Sequence, residues 1–328
     1  MLSKHRGVAL IMVLLAMALV VMLASGMLRE QNLRVFKAGH YLAQQQGYSI
    51  ALGAEDFARR ILVQDFKDDR EEGVMIDSLG EVWAERAAIL PLDNNGVAAI
   101  QIDDLGGRLN LNDLVNASGE VNSLVRARVE RLLQTLEVFG VTVNALVDWI
   151  DADDQPSGAE GAEDSTYLMA EPSYRAANQP FVSVSELRLV EGMTEEAYKR
   201  LRPHVTVLPV TGAGININTA TIPVLMSLHG EITRADAQAI VARRDEEPFD
   251  DVREFLALPE LSGMGLKANG LTLQTRFFDV VSRITYDNRK VNMVSRVFRN
   301  AEGKVHTVHR DSGQTNRITR ESYTIPEG

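Results

Sequence analysis

The 328-residue sequence contains no cysteine. Disulfides, zinc–thiolate sites, iron–sulfur clusters and cysteine nucleophiles are therefore excluded. Positive charge is also scarce: 34 Lys+Arg stand against 45 Asp+Glu, a formal net charge of −11. Such a chain repels phosphate backbones, which disfavours binding to nucleic acid. No GxSxG, HExxH, P-loop or GxGxxG is present, and the six histidines are scattered. These absences point away from an enzyme. Only one long apolar run exists, which excludes a multi-span membrane protein. What remains is ordinary for a globular chain, with 45% apolar and 24% charged residues. The length suits about two domains.

The apolar run sits at the N-terminus. Residues 1–7 read MLSKHRG, and Val8 to Leu28 carry no charge. A helix over that run spans roughly 30 Å, the thickness of a bilayer's hydrocarbon core. It is apolar on every face, unlike a helix buried in a soluble core. Three processed forms fit. The run stays as an anchor, or it is a signal peptide cut after Ala24-Ser25-Gly26, or cleavage falls between Gly7 and Val8. Beyond Leu28, no proline occurs before Pro91. Leu33, Phe36, Ala43, Ile50, Ala51, Ala54, Phe57, Ala58 and Ile61 keep near-helical spacing. A helix is therefore expected to about Phe66, with bends at Gly39, Gly47 and Gly53.

A basic leader ending in glycine and followed directly by such a helix resembles the type IV prepilin signature. The resemblance implies cleavage between Gly7 and Val8. In most pilin-like subunits the fifth mature residue is glutamate; here, counting from Val8, it is Met12. A carboxylate inside a bilayer is costly unless paired. In such filaments it is thought to pair with a neighbouring subunit's terminal ammonium. A subunit with Met12 lacks that attraction on one side and is expected to start or end a filament.

Residues 67–81 read as a charged loop, and the pattern becomes strand-like from Val82. Pro91 to Gly96, centred on Asn95-Gly96, is a turn signal. Strands follow over 97–102 and 108–112. Asn112 or Asp113 is placed to cap a helix. Helices are expected over 121–139, 143–151, 183–191, 194–202, 219–229, 233–244 and 250–257. Strands return over 271–286, 290–299 and 304–310, with an Asp287-Asn288 hairpin turn and a loose tail from Asp311.

This order predicts an α+β fold: a pilin-like long N-terminal helix plus an antiparallel sheet, interrupted by a large inserted all-α domain. The divisions are 1–7 (leader), 8–28 (membrane helix), 29–112 (helix and first strands), 113–270 (insertion) and 271–328 (closing strands and tail). A faint repeat runs through the insertion. Leu109-Asn-Leu-Asn112 parallels Ile215-Asn-Ile-Asn218, and Pro180-Phe181 parallels Pro248-Phe249. Two SAM-like or helix-hairpin-helix-like units follow, about 113–210 and 214–270. In the second, the hairpin Leu228 to Glu231 sets a carboxylate where a DNA phosphate would sit. A structural or protein-binding module is expected there.

Asp148, Asp151, Asp153, Asp154, Glu160, Glu163 and Asp164 crowd a single stretch. No Lys or Arg lies between Arg131 and Arg175 to neutralise them. Hard oxygen ligands at this density suit calcium, one or two ions. It is no EF-hand, because Pro156 and Ala162 replace the required Gly and Glu. The bland alternative is a solvated acidic loop. Trp149 and Ile150 favour order by tying the loop to a core.

Five segments together resemble one family, the minor pseudopilin K of bacterial type II secretion systems. They are the leader ending at Gly7, the helix with Met12, and the runs 103–114 (DDLGGRLNLNDL), 146–164 (LVDWIDADD…GAED) and 214–220 (GININTA). The resemblance implies a non-enzymatic subunit capping the tip of a periplasmic pseudopilus, initiating its assembly and supporting export of folded exoproteins. It implies the minor pseudopilins I, J and H as partners, with contact to secreted exoproteins. It further implies calcium in the acidic run, prepilin peptidase cleavage with methylation at Val8, and a single-pass inner-membrane anchor. The N-terminus would be cytoplasmic and the head periplasmic. Two other readings stand beside it: a minor pilin of a type IV pilus or competence system, and a secreted calcium-binding protein or enzyme with a cleaved signal peptide.

Overall fold

The computed structural model describes residues 6–85, 87–93, 96–286, 289–314 and 317–320. Residues 1–5, Asn95 and the Asp287-Asn288 turn lie outside the described residues. The chain begins with helix α1 (Arg6–Glu72), followed by α2 (Val82–Glu85), β1 (Ala88–Leu92) and β2 (Gly96–Asp104). The inserted body runs through β3 (Leu109–Asn110), α3 (Ser123–Thr135), α4 (Val143–Ile150), α5 (Asp164–Tyr167), α6 (Glu195–Leu201) and β4 (Val205–Thr206). It continues through β5 (Ile215–Asn216), α7 (Ile222–Ser227), α8 (Arg234–Glu246), α9 (Val252–Leu256) and β6 (Leu271–Thr272). The sheet then resumes with β7 (Phe277–Tyr286), β8 (Arg289–Arg299) and β9 (Val305–Asp311).

The sheet order is β1-β2-β7-β8-β9, antiparallel throughout. The insertion enters after β2 and leaves before β7, and these two strands pair directly, Ile102 opposite Val280. The sheet therefore closes across the base of the insertion. Pro91 lies in β1 rather than in a turn. As an edge strand, β1 tolerates a residue that cannot donate to a ladder.

The outer half of α1 packs on one face of the sheet. Ala51, Ala54, Ala58 and Leu62 recur at helical spacing and are buried against Ile100, Phe278, Val280 and Val297. At Gly47 the helix approaches so closely that a Cβ would strike Val291. A buried carboxylate also crosses this interface. Glu55 accepts hydrogen bonds from Ser295 Oγ (2.7 Å), Thr307 Oγ1 and Arg310 Nε (2.6 Å). Burial alone would raise its pKa, but these donors and the Arg310 charge win and hold it at about 2.

Several expectations are corrected. The acidic run after Phe66 is a solvated continuation of α1, because nothing breaks the helix until Gly73. That residue adopts φ +77°, a left-handed helix stop. The segment from Val82 starts as a helical turn. Glu81 organises it by accepting from Ser78 N and Trp83 Nε1. The stretch 183–191 forms a 3-10 turn (Val184–Leu189) closed by a Ser183/Glu186 capping box. The 271–286 run splits, because Leu271 and Thr272 pair with β5 inside the insertion. Beyond Asp311, the described residues 317–320 are anchored rather than loose. Thr319 and Arg320 amides donate to Gln101 Oε1, and Ile318 is buried on the sheet face opposite α1.

Within the insertion, neither Asn112 nor Asp113 caps a helix. Asn110 caps the 3-10 turn Leu111–Leu114, and Asn122 caps α3. Asn112 instead brackets the backbone of Phe181, accepting from its N–H (2.8 Å) and donating to its C=O (3.0 Å). Asn218 does the same to Phe249, at 3.0 and 2.9 Å. Each unit also closes on a short parallel ladder, β3 with β4 and β5 with β6. The asparagine and phenylalanine are 69 residues apart in the first bracket and 31 in the second. The acidic run occupies the longer span.

Candidate metal centre and membrane helix

Helix α4 presents the first acid. Thr142 Oγ1 caps it by accepting from Ala145 N. Its last turn is fixed by Trp149, packed edge-on to Tyr167 and stacked near Phe181, with ring centroids at 5.2 and 6.4 Å. Asp148 is thereby held at 0% exposure. The following loop folds around its carboxylate, which accepts from Ser157 N (3.0 Å) and Ala162 N (2.7 Å). Gly161 is required at the closest approach, because a Cβ there would overlap Asp148 Oδ2.

The loop returns Asp151 and Glu163 to Asp148. One carboxylate oxygen from each lies within 4.8 Å of the others. Both Glu163 oxygens and Asp151 Oδ1 are buried without a hydrogen-bond partner. Burial, reinforced by the neighbouring acids, pushes Asp151 up to about 6 and Glu163 up to about 7. No cation among the described residues pairs with any of the three. Buried carboxylate oxygens left unpaired are costly. A hard cation would supply the missing partner, and three carboxylate donors of this kind fit calcium.

The other four predicted acids do not join this trio. Asp153 accepts from Gln155 N, and Asp154 from Asn178 Nδ2. Asp164 pairs with Arg175 at 2.6 Å and accepts from Ala176 N. Glu160 is exposed, and its backbone carbonyl accepts from Thr142. Sequence reasoning missed Asn178, whose Oδ1 is buried and unpartnered beside the same loop. Its φ of +46° marks a constrained position, but nothing in the local sequence ties it to acids some 24 residues earlier. A second acidic group, Asp65, Asp77 and Glu81, was also not foreseen. It differs in kind, because Arg299 bridges Asp65 (3.0 Å) and Asp77 (2.5 Å). Among the described residues Glu81 has no cation of its own, and burial together with Asp65 and Asp77 pushes it up to about 8.

At the N-terminal end, Gly7 and Val8 lie inside α1, which starts at Arg6. Met12 is 67% exposed, and the apolar residues from Val8 to Leu28 face outward all around. This segment is long and apolar enough to cross a membrane, with a mean hydropathy of 2.9 over its best window. In the second unit, the carbonyls of Ser227 and Leu228 at the hairpin accept from Arg131.

Residues 107–210 and 215–275 match two family models, both described as type II secretion system (T2SS), protein K. The chain is 38% identical to type II secretion system protein K of Pseudomonas aeruginosa, over 94% of this chain and 93% of that relative. It is 35% identical to the protein K of Pectobacterium carotovorum over 74% of this chain and 76% of that relative. Its fold matches a chain of the crystal structure of the GspK-GspI-GspJ complex from the enterotoxigenic Escherichia coli type 2 secretion system. The TM-score is 0.75 at 26% identity, covering 85% of this chain and all of that one.

Proposed function

Because the chain belongs to the type II secretion system protein K family, we propose that it caps the tip of the periplasmic pseudopilus. There it initiates assembly of the filament that drives export of folded exoproteins. The observation that carries this reading is the fold match to a GspK chain solved together with GspI and GspJ. That likeness supports the minor pseudopilins I and J as this chain's direct partners; H is a further expected partner.

The physical grounds for a terminal position are two. A helical body as large as the one between β2 and β7 would obstruct stacking of identical subunits. Met12 supplies no carboxylate for a neighbour's ammonium. The membrane helix holds the subunit in the inner membrane before assembly, with the head in the periplasm. Prepilin peptidase cuts between Gly7 and Val8 and the new terminus is methylated.

Calcium belongs to the same proposal. Asp148, Asp151 and Glu163 would hold it. The ion would neutralise the buried acids and fix the long loop of the first unit, a structural role without catalysis.

The test is assembly. The full-length processed chain, co-expressed with I and J and purified in detergent, is expected to give a complex of one copy each by native mass spectrometry. Met12→Glu is expected to leave that complex intact and to let the subunit accept a further pseudopilin. Recovery of the chain alone, with I and J paired without it, would contradict the reading.

A further inference from the structure

A cavity of about 340 Å³ lies where the sheet meets the first helical unit. Five arginines line it, Arg108, Arg188, Arg202, Arg296 and Arg317, against two acids, Asp279 and Asp311. In a chain of net charge −11 this is a local inversion of sign. Low-dielectric walls would focus that positive potential inside the cavity.

Part of the charge is already paired. Arg296 and Arg317 share the buried Asp279, at 3.1 and 3.2 Å. Arg317 also lies 3.7 Å from Asp103, which Arg320 contacts as well. Arg188 pairs with Glu195 at 2.9 Å. Arg108 and Arg202 are different: neither makes a hydrogen bond or ion pair among the described residues. Asp103, Asp279 and Asp104 support the Arg108 charge only from a distance, while burial presses its pKa below the ordinary arginine value. The imidazole of His204 responds to the same surroundings. Burial first, and then the Arg108 charge, push it down to about 4, so it adds no competing cation.

A second observation is independent of charge. Thr206 is 1% exposed, lines the same cavity, and its hydroxyl has no hydrogen-bond partner. Buried hydroxyls are normally satisfied, so this one marks a missing acceptor. Its backbone is fixed by the parallel pairing of β4 with β3, Thr206 opposite Asn110.

We infer that this cavity binds a small, doubly charged oxyanion of the phosphate class, held by the guanidinium groups of Arg108 and Arg202 and the hydroxyl of Thr206. The guanidinium groups of Arg108 and Arg202, opposed in the lining by the carboxylate of Asp311, can pair with two oxygens of such an anion, and the hydroxyl donates to a third. The lining comes from the sheet strands β7 and β8 and from the insertion's β4 and 3-10 turns, so a bound anion ties the two bodies together.

The test is calorimetric titration of the full chain in detergent with inorganic phosphate, at constant ionic strength and without calcium. One saturable site is expected, with affinity falling at least about tenfold in both Arg108→Gln and Arg202→Gln. Arg202 is exposed, so its variant keeps the test decisive if Arg108→Gln fails to fold. Thr206→Val is expected to weaken binding by a smaller factor. Absence of saturable heat, unchanged affinity in Arg202→Gln, or equal competition by the monoanion acetate would each overturn the inference.

Discussion

Removing calcium is expected to destabilise the first helical unit by about 3 kcal/mol at pH 7.5 and 1 mM ion. The magnitude follows from the trio of Asp148, Asp151 and Glu163. Their oxygens gather within 4.8 Å. At that spacing two like charges repel by roughly 3 kcal/mol if the effective permittivity is about 20. Without an ion, Asp151 and Glu163 relieve this by holding protons, with pKa values near 6 and 7. At pH 7.5 both are largely ionised, and the repulsion is unrelieved. An ion present at about a hundred times its Kd then contributes about 2.7 kcal/mol by mass action. For a cooperative unit of this size, the shift in Tm is about 10 °C. The assay is scanning calorimetry of the full chain in detergent, with calcium, with magnesium, and with chelator. The Glu163→Gln variant sharpens it, because it removes a repelling charge and a ligand at once. It is expected to melt higher than the native chain in chelator and lower in calcium. Superimposable scans with and without calcium, or a Glu163→Gln variant that gains stability in both conditions, would refute the reasoning.

Three other outcomes are expected. Asn112→Ala should cost about 3 kcal/mol, because it leaves the Phe181 N–H and the Phe181 and Leu208 carbonyls unpaired in the core. Hydrogen exchange should show the loss in the first unit, and Asn218→Ala should move it to the second. Glu55→Gln should lower stability by about 2 kcal/mol near neutral pH. Glu55 titrates at about 2 in the fold against an ordinary 4.5, so its contribution is present above pH 4.5 and lost as the pH falls towards 2. Acid titration by circular dichroism should therefore show a weaker acid limb in the variant. Gly192→Ala should cost more than about 3 kcal/mol, since a methyl there would overlap the Gly140 carbonyl and the backbone sits at φ +77°. Chemical denaturation of the variant measures it.

The elements that were legible in the sequence carry a strong period or a local stop signal. The apolar and amphipathic stretches of α1 were visible because Val8 to Leu62 keeps one pattern without proline. The sheet-forming strands β2, β7, β8 and β9 read as alternating or apolar runs, so the α+β class and the interrupting insertion followed. Family membership then displaces the pilus-subunit and secreted-enzyme readings. What was illegible depends on distant partners. The charged end of α1 looks like a loop until Gly73 is seen to be its first stop. Residues 317–320 look loose in the sequence because their anchors, Gln101 and Asp279, lie over 200 and 38 residues away. The seven acids were visible as a run, but composition could not show that only Asp148, Asp151 and Glu163 come together. Burial by α4 selects Asp148, and loop closure selects Asp151 and Glu163. Asn178 reaches the acidic loop, at Asp154, only through the fold.

Position along the filament is tested most directly by labelling. The chain has no cysteine, so a single introduced thiol is unique. Glu196→Cys places it on the exposed face of α6, in the helical body. Pseudopili assembled in cells that carry this variant would be coupled to maleimide-gold and viewed by electron microscopy. Gold at one end of each filament, and at no other point, is the expected result. Gold spaced along the shaft would show a repeated subunit and contradict a cap at the tip.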